Sequence, residues 1–135
     1  MSYELRDHTA DVAVHATGGT LDAVFAAVAD GLTAAMCETV PETGGEVVEL
    51  SVTAERKEAL LFEYLDELIY ERDVRGVLPT DHAVTVDPET WTLDASFRGV
   101  PFEAVTAREV KAVTYSEMRL EPVEAGWEAY VVFDV

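Results

Sequence analysis

Apolar and polar positions alternate along most of this chain, and the alternation gives way twice to a helical period. From Asp11 to Ala16, Val12 and Val14 fall on one face of a strand, with Asp11, Ala13 and His15 on the other. Gly18-Gly19 ends that strand. Thr20 is a helix N-cap, and Asp22 suits the positive helix start. Leu21, Val24, Phe25, Val28 and Leu32 then keep the spacing of a core-facing stripe, so the helix runs to about Met36. Pro41 to Gly45 is a loop. Val47 to Thr53 alternates again as a strand. A second helix spans about Arg56 to Asp73, with Leu61, Tyr64, Leu65, Leu68 and Ile69 inward and Glu63, Glu67 and Glu71 on its outer face. Those three carboxylates, four residues apart, repel one another mildly and fit a solvated face better than a metal site.

The remainder reads as strand. Tyr3 to Leu5 is a short one, and Ala83 to Val86 alternates before the Asp87-Pro88-Glu89-Thr90 turn. Trp91 to Arg98 follows, with Trp91, Leu93, Ala95 and Phe97 on one face. Val110 to Leu120 is next, with Ala112 and Tyr115 expected inward. A turn over Glu121 to Gly126 leads into Trp127 to Val135. Two helices and about seven strands predict a single α+β domain over residues 1–135, with a mixed or antiparallel sheet and helices on one side. No linker or internal repeat divides the chain.

Composition narrows the function classes. At 135 residues, 49 % of them apolar, the chain can bury a proper core. No apolar run approaches the roughly 20 residues that span a bilayer. The N-terminus has no signal-peptide pattern, which leads to the expectation of a cytoplasmic protein. The lone Cys37 rules out an internal disulfide and fits a reducing cytosol. It has no basic neighbour to lower its pKa, so a buried structural thiol is expected.

Charge changes the picture more. Acidic residues number 27 against 9 basic ones, for a net charge of −18, and the only lysines are Lys57 and Lys111. The acids are scattered through every segment, whereas partner-binding acidic tails come as blocks. A salt-adapted, halophilic surface is therefore expected in preference to a nucleic-acid mimic. Strong direct binding of nucleic acid needs a basic stripe, and this chain has no basic cluster. Any role in RNA metabolism is expected to run through a protein partner.

The candidate chemistry lies at the two ends. Asp7-His8-Thr9-Ala10-Asp11 opens an apolar strand, and Val131-Val132-Phe133-Asp134-Val135 closes on its own main-chain carboxylate. If Asp11 folds back onto that end, three anionic groups meet, and hard divalent cations take such oxygens. Two readings of Asp11 stand on spacing alone: a metal ligand, or a strand-edge aspartate bonding local backbone N–H groups. His8 would either orient that carboxylate or cap a turn, and Asp7 and His8 are expected to flank the ligands without binding the ion. An oxygen-only set selects Ca²⁺, Mg²⁺ or Mn²⁺, and the absence of a His or Cys cluster disfavours zinc. Lys111 is either a strand-end lysine with its head in water or a cation facing the carboxylates, a phosphate or an acidic partner group. The nucleophile-elbow, P-loop and dinucleotide motifs are absent.

Several of these segments together resemble the archease family, activators of the RtcB-type RNA-splicing ligase. They are Tyr3-Glu4-Leu5 with Asp7-His8-Thr9-Ala10-Asp11-Val12, the helix start Gly18-Gly19-Thr20-Leu21 to Phe25, and Leu60 to Tyr70. With them come Glu109-Val110-Lys111-Ala112-Val113-Thr114-Tyr115 and Val132-Phe133-Asp134-Val135. The likeness covers essentially the whole chain in order. It implies that Asp11, Asp134 and Val135 bind a divalent metal and that Lys111 is the family's functional lysine. One departure is Ser116, where many archaeal members carry His. The resemblance further implies a protein cofactor rather than an enzyme. Such a protein promotes guanylylation of the ligase with GTP and its multiple turnover, and meets tRNA only through the ligase. A metal-independent chaperone or binding module for an RNA-modifying enzyme, such as a tRNA methyltransferase, is the alternative. A free-standing metal-dependent hydrolase ranks last, since no general base other than His8 lies near the cluster.

Overall fold

The computed structural model describes residues 2–7 and 11–135, with the side chains of Ser2, Leu5, Arg6 and Asp7 excepted. The described elements are β1 (Ser2–Asp7), β2 (Asp11–Gly18), α1 (Leu21–Met36), β3 (Glu46–Thr53), α2 (Lys57–Arg75), β4 (Val77–Asp87), β5 (Thr92–Pro101), β6 (Ala112–Val123) and β7 (Gly126–Asp134), with a 3₁₀ turn at Phe102–Ala104. Among the described residues every strand pairing is antiparallel. The seven strands divide into two sheets, ordered β1-β2-β7-β6 and β3-β5-β4, where the alternation pattern led us to expect one.

Helix α1 explains the division. Its Thr20 Oγ1 accepts from the Ala23 N–H (3.1 Å), capping the start as expected. The Asp22 carboxylate accepts from the Val86 N–H (2.7 Å), which fastens the same turn to β4. The helix packs on β2 in one sheet and on β4 in the other. It is therefore buried well beyond one stripe: Val24 to Ala29 are all buried, as are Gly31, Leu32 and Met36. Small residues make this double approach feasible. A Cβ on Gly31 would lie 2.5 Å from Val14 Cγ1. Helix α2 buries Leu60, Leu61, Tyr64, Leu65, Leu68, Ile69 and Arg72 and ends on Gly76, whose left-handed φ of 64° is the usual glycine C-cap. One core cluster joins both helices to both sheets.

Three strands depart from their predicted form. β4 begins at Val77 rather than Ala83, because Pro79 and a bulge between Thr80 and Ala83 interrupt the alternation that marks it. β4 is an edge strand, which tolerates a proline. Trp91 belongs to the turn (φ 49°), half-buried, so the inward face of β5 is Leu93, Ala95 and Phe97. β6 begins at Ala112, and its pairing with β7 is irregular between Thr114 and Arg119, with Glu117 at φ 57°. That irregularity ends the regular alternation. Tyr115 consequently points outward, 47 % exposed, and stacks on Phe62 of α2 with ring centroids 4.1 Å apart. Cys37 is buried, as expected, and its Sγ–H donates to the Thr39 carbonyl.

Candidate metal centre

The register of the larger sheet sets the site. Asp11 opens β2 and Asp134 closes β7, and the two are direct cross-strand partners. The next pair inward, Val12 and Phe133, joins the main core cluster, and the pair after it, Ala13 and Val132, lies on the opposite face, where it too is buried. Asp11 and Asp134 thus share the face of Ala13 and Val132, at its end, where directly opposed Cβ atoms stand about 4.5–5.5 Å apart. Asp11 is half-buried and Asp134 exposed. Among the described residues neither carboxylate has a cationic partner. Two opposed like charges without a counter-ion are unfavourable in a sheet.

Lys111 reaches the same corner from the position just before β6. Its backbone N–H donates to the Asp134 carbonyl (2.8 Å), and Ala112 pairs with Asp134 in register. The Lys111 side chain is exposed, as is Val135 next to Asp134. Asp11 at the start of β2, Asp134 at the end of β7 with Val135 after it, and Lys111 just before β6 therefore meet at one end of the sheet. Asp7 pairs through its backbone with Val12, but its side chain lies outside the described residues, as does all of His8.

The donors present fit a hard cation. Among the described residues they are oxygens, which suit Ca²⁺, Mg²⁺ or Mn²⁺. Among the described residues no three His, Cys, Asp or Glu side chains converge on one point. An ion held here would draw on the Asp11 and Asp134 carboxylates and on water.

Beneath this corner lies a group that the sequence reading passed over. Arg72 of α2 is only 5 % exposed. Its Nη1 donates to the Val110 carbonyl (2.6 Å), and its Nε and Nη2 hold the Asp73 carboxylate at 3.0 and 2.9 Å. Leu65, Leu68 and Ile69 put position 72 on the buried stripe of α2, so the helical period alone would have marked this arginine as inward. Arg72 also lines a cleft of about 380 Å³ with Met36, Phe102, Val105 and Arg108.

A second polar cluster sits between α1 and β4, away from the metal corner. The Thr33 hydroxyl lies 2.7 Å from the Pro79 carbonyl, to which it donates, and 2.8 Å from His82 Nε2. With that hydrogen committed, Nε2–H is the donor to Thr33. Nδ1 is left buried with no hydrogen-bond partner. Burial pushes the His82 pKa down to about 4. Burial, with help from Asp81, pushes Asp30 up to about 6. The Tyr64 hydroxyl is likewise buried without a partner, and burial followed by the Asp30 charge raises its pKa.

The profile of the Archease protein family (MTH1598/TM1083) matches residues 3–135. The chain belongs to the archease family. It is similar to the protein archease of Thermococcus gammatolerans, at 35 % identity over 98 % of both chains. It is also similar to the archease-like protein of Drosophila melanogaster, at 32 % identity over all of this chain and 91 % of that one. The archease fold recurs in the solution structure of Methanobacterium thermoautotrophicum protein 1598, with a TM-score of 0.83, 26 % identity and 98 % of each chain covered. A Thermotoga maritima crystal structure, described as "an archease, possible chaperone", shares the fold with a TM-score of 0.70 at 23 % identity, over 96 % of this chain and 94 % of that one. No helix among the described residues of this archease-family chain is long and apolar enough to cross a membrane.

Proposed function

We propose that this archease-family protein is an accessory activator of an RtcB-type RNA ligase, promoting ligase guanylylation with GTP and multiple turnover. It works on the ligase in the cytoplasm and leaves the joining of RNA to it. The observation that supports this reading is the pairing of Asp11 with Asp134 beside Lys111, three positions that archease resemblance singles out and that the fold brings to one corner. Asp11, Asp134 and the main-chain carboxylate of Val135 would hold a divalent cation, Ca²⁺, Mg²⁺ or Mn²⁺. Such an ion, when bound, supplies charge neutralisation at phosphoryl oxygens. Asp11 and Asp134 fix its position because both stand on paired strands rather than on loops. Lys111, held at the same corner by its backbone, offers an exposed ammonium to a phosphate or to an acidic group of the ligase. The net charge of −18 keeps the protein off RNA itself, so tRNA is met only through the ligase.

Multiple-turnover ligation by the cognate ligase, in high KCl with GTP and Mn²⁺, tests the proposal. Wild type is expected to stimulate ligation and Asp134→Ala to fail. Equal stimulation by both would keep the partner and discard the metal. No stimulation by either would favour the second reading, a metal-independent chaperone for an RNA-modifying enzyme such as a tRNA methyltransferase. The "possible chaperone" description of the Thermotoga maritima protein, together with exposed Tyr70, Val74 and Phe102 here, keeps that reading in view.

A further inference from the structure

The Val110 carbonyl and the Lys111 N–H belong to one peptide group. The carbonyl accepts from buried Arg72 at 2.6 Å, and the N–H donates to the Asp134 carbonyl at 2.8 Å. We propose that Arg72 is a positioning residue, whose guanidinium locks this peptide plane and thereby sets Lys111 and the Asp134 end of β7 in the geometry the metal corner needs. The proposal rests on the functional reading above for its purpose, but not for its geometry.

Three features carry it. First, hydrogen bonds to charged donors are shorter and stronger than neutral ones, and a cation on the carbonyl polarises the peptide so that its N–H donates more strongly. The bond from Lys111 to Asp134 is therefore strengthened by a residue that touches neither. Second, the segment from Val105 to Lys111 lies outside helix and strand and has no ladder to hold it. Val110 is fully buried within that segment, so its carbonyl needs an internal donor, and Arg72 provides one. Third, the planar fork of arginine serves two directions at once. While Nη1 faces Val110, Nε and Nη2 are braced by Asp73, itself 63 % exposed. A lysine would keep the charge and lose the brace. Arg72 also stands in α2, so the lock ties the corner of one sheet to a helix that contacts both.

The test uses the full chain as wild type, Arg72→Met, Arg72→Lys and a core control, Leu93→Ala, which lies in the other sheet. Amide hydrogen exchange by NMR gives a readout independent of metal and ligase. In Arg72→Met, the Lys111 amide is expected to lose protection at least tenfold relative to core amides such as Val14 and Val131. The control should lower all of them together. Titration with Mn²⁺ gives the second readout, with affinity expected to fall by about 10- to 100-fold in Arg72→Met, as when outer residues that orient metal ligands are removed. Arg72→Lys should fall between Met and wild type in both. Unchanged Lys111 protection in a folded Arg72→Met overturns the proposal. Should wild type bind no Mn²⁺, the metal reading of the function fails, and amide exchange alone decides the role of Arg72. If Arg72→Met does not fold, the comparison of Arg72→Lys with Leu93→Ala decides, with loss confined to Lys111 as the supporting result and a uniform loss as the overturning one.

Discussion

Asp11 faces Asp134 directly across the β2–β7 ladder, on the sheet face opposite Val12 and Phe133. Like charges directly opposed in a sheet are destabilising, where a favourable cross-strand pair contributes roughly 0.2–1 kcal/mol. Asp134→Asn should therefore raise the melting temperature slightly in chelator, while abolishing the further rise that Mn²⁺ gives the wild type. A ligand at 100 times its Kd adds about 2.7 kcal/mol to the folded state. Melting curves with chelator and with Mn²⁺ check both halves. A Mn²⁺ response that survives in Asp134→Asn would remove Asp134 from the ligand set.

Gly31 lets α1 sit against β2. Alanine there would gain up to about 1 kcal/mol of helix propensity. Its Cβ would meet Val14 Cγ1 at 2.5 Å, and overpacking of this kind costs typically about 1–3 kcal/mol. Val14 is fully buried and stiff at its branched carbon, so it cannot swing away. Gly31→Ala should destabilise on balance. The double mutant with Val14→Ala should lose less than the sum of the singles, and urea unfolding of the four proteins measures that coupling.

How much of this was readable in the sequence depends on how local the signal is. Helix α1 was readable from Thr20 and the Leu21 to Leu32 stripe, because cap and period are local. The start of β4 was not, because Pro79 and the bulge at Asp81 erase the alternation there. Division into two sheets was not readable either, since it depends on α1 touching β2 and β4 at once. At the candidate site, Asp11 and Asp134 were flagged by their carboxylates and by family resemblance. Their direct pairing is a matter of register between distant strands. Arg72 carried a legible mark, an arginine on the apolar stripe of α2, but its target, the Val110 carbonyl, lies 38 residues away in an irregular segment.

The cluster between α1 and β4 gives opposing pH effects. His82 is neutral in the folded protein down to about pH 4, whereas unfolded histidine takes up a proton near 6.5. Between those values the unfolded state binds more protons, so stability falls as the pH drops. Asp30 has the opposite sign. Its folded pKa of about 6 lies above the ordinary 3.8, so between those values the folded state holds the extra proton and stability falls as the pH rises. The groups around His82 are Thr33 on α1, the Pro79 carbonyl, Asp81 beside it and paired with Arg98, and Phe97, while Asp30 enters through its proximity to Asp81. Wild type should thus show a shallow profile from pH 4 to 6, and Asp30→Asn a steeper loss toward acid. Parallel melting curves for the two would contradict this.

Acidic crowding should make stability depend on salt. Partial burial raises the pKa of Glu67, and so do the neighbouring charges of Glu71, Asp66 and Glu63 on the outer face of α2. Raising KCl toward 1 M shrinks the Debye length to about 3 Å and screens such repulsion between exposed groups. The melting temperature should climb with KCl and fall on dialysis to low salt. A melting temperature indifferent to KCl would count against the halophilic reading of the −18 charge.

Lys111 separates the metal corner from what that corner touches. Its backbone holds Asp134 whatever side chain it carries, and its side chain is exposed. Lys111→Ala should therefore leave Mn²⁺ affinity near that of the wild type and stability within about 0.5 kcal/mol, as for surface substitutions generally. If the ammonium meets a phosphate or an acidic group of the ligase, the same variant should cut stimulation of multiple-turnover ligation by about tenfold or more, since truncating one member of a charge pair at an interface costs about 2–5 kcal/mol. Lys111→Arg keeps the charge with a different shape and should retain part of the effect. Ligation assays run beside Mn²⁺ titrations distinguish the outcomes. Lost stimulation with intact metal binding places Lys111 at the partner, whereas parallel loss of both makes it part of the metal corner. Full stimulation by Lys111→Ala returns it to the plain role of a strand-end lysine with its head in water.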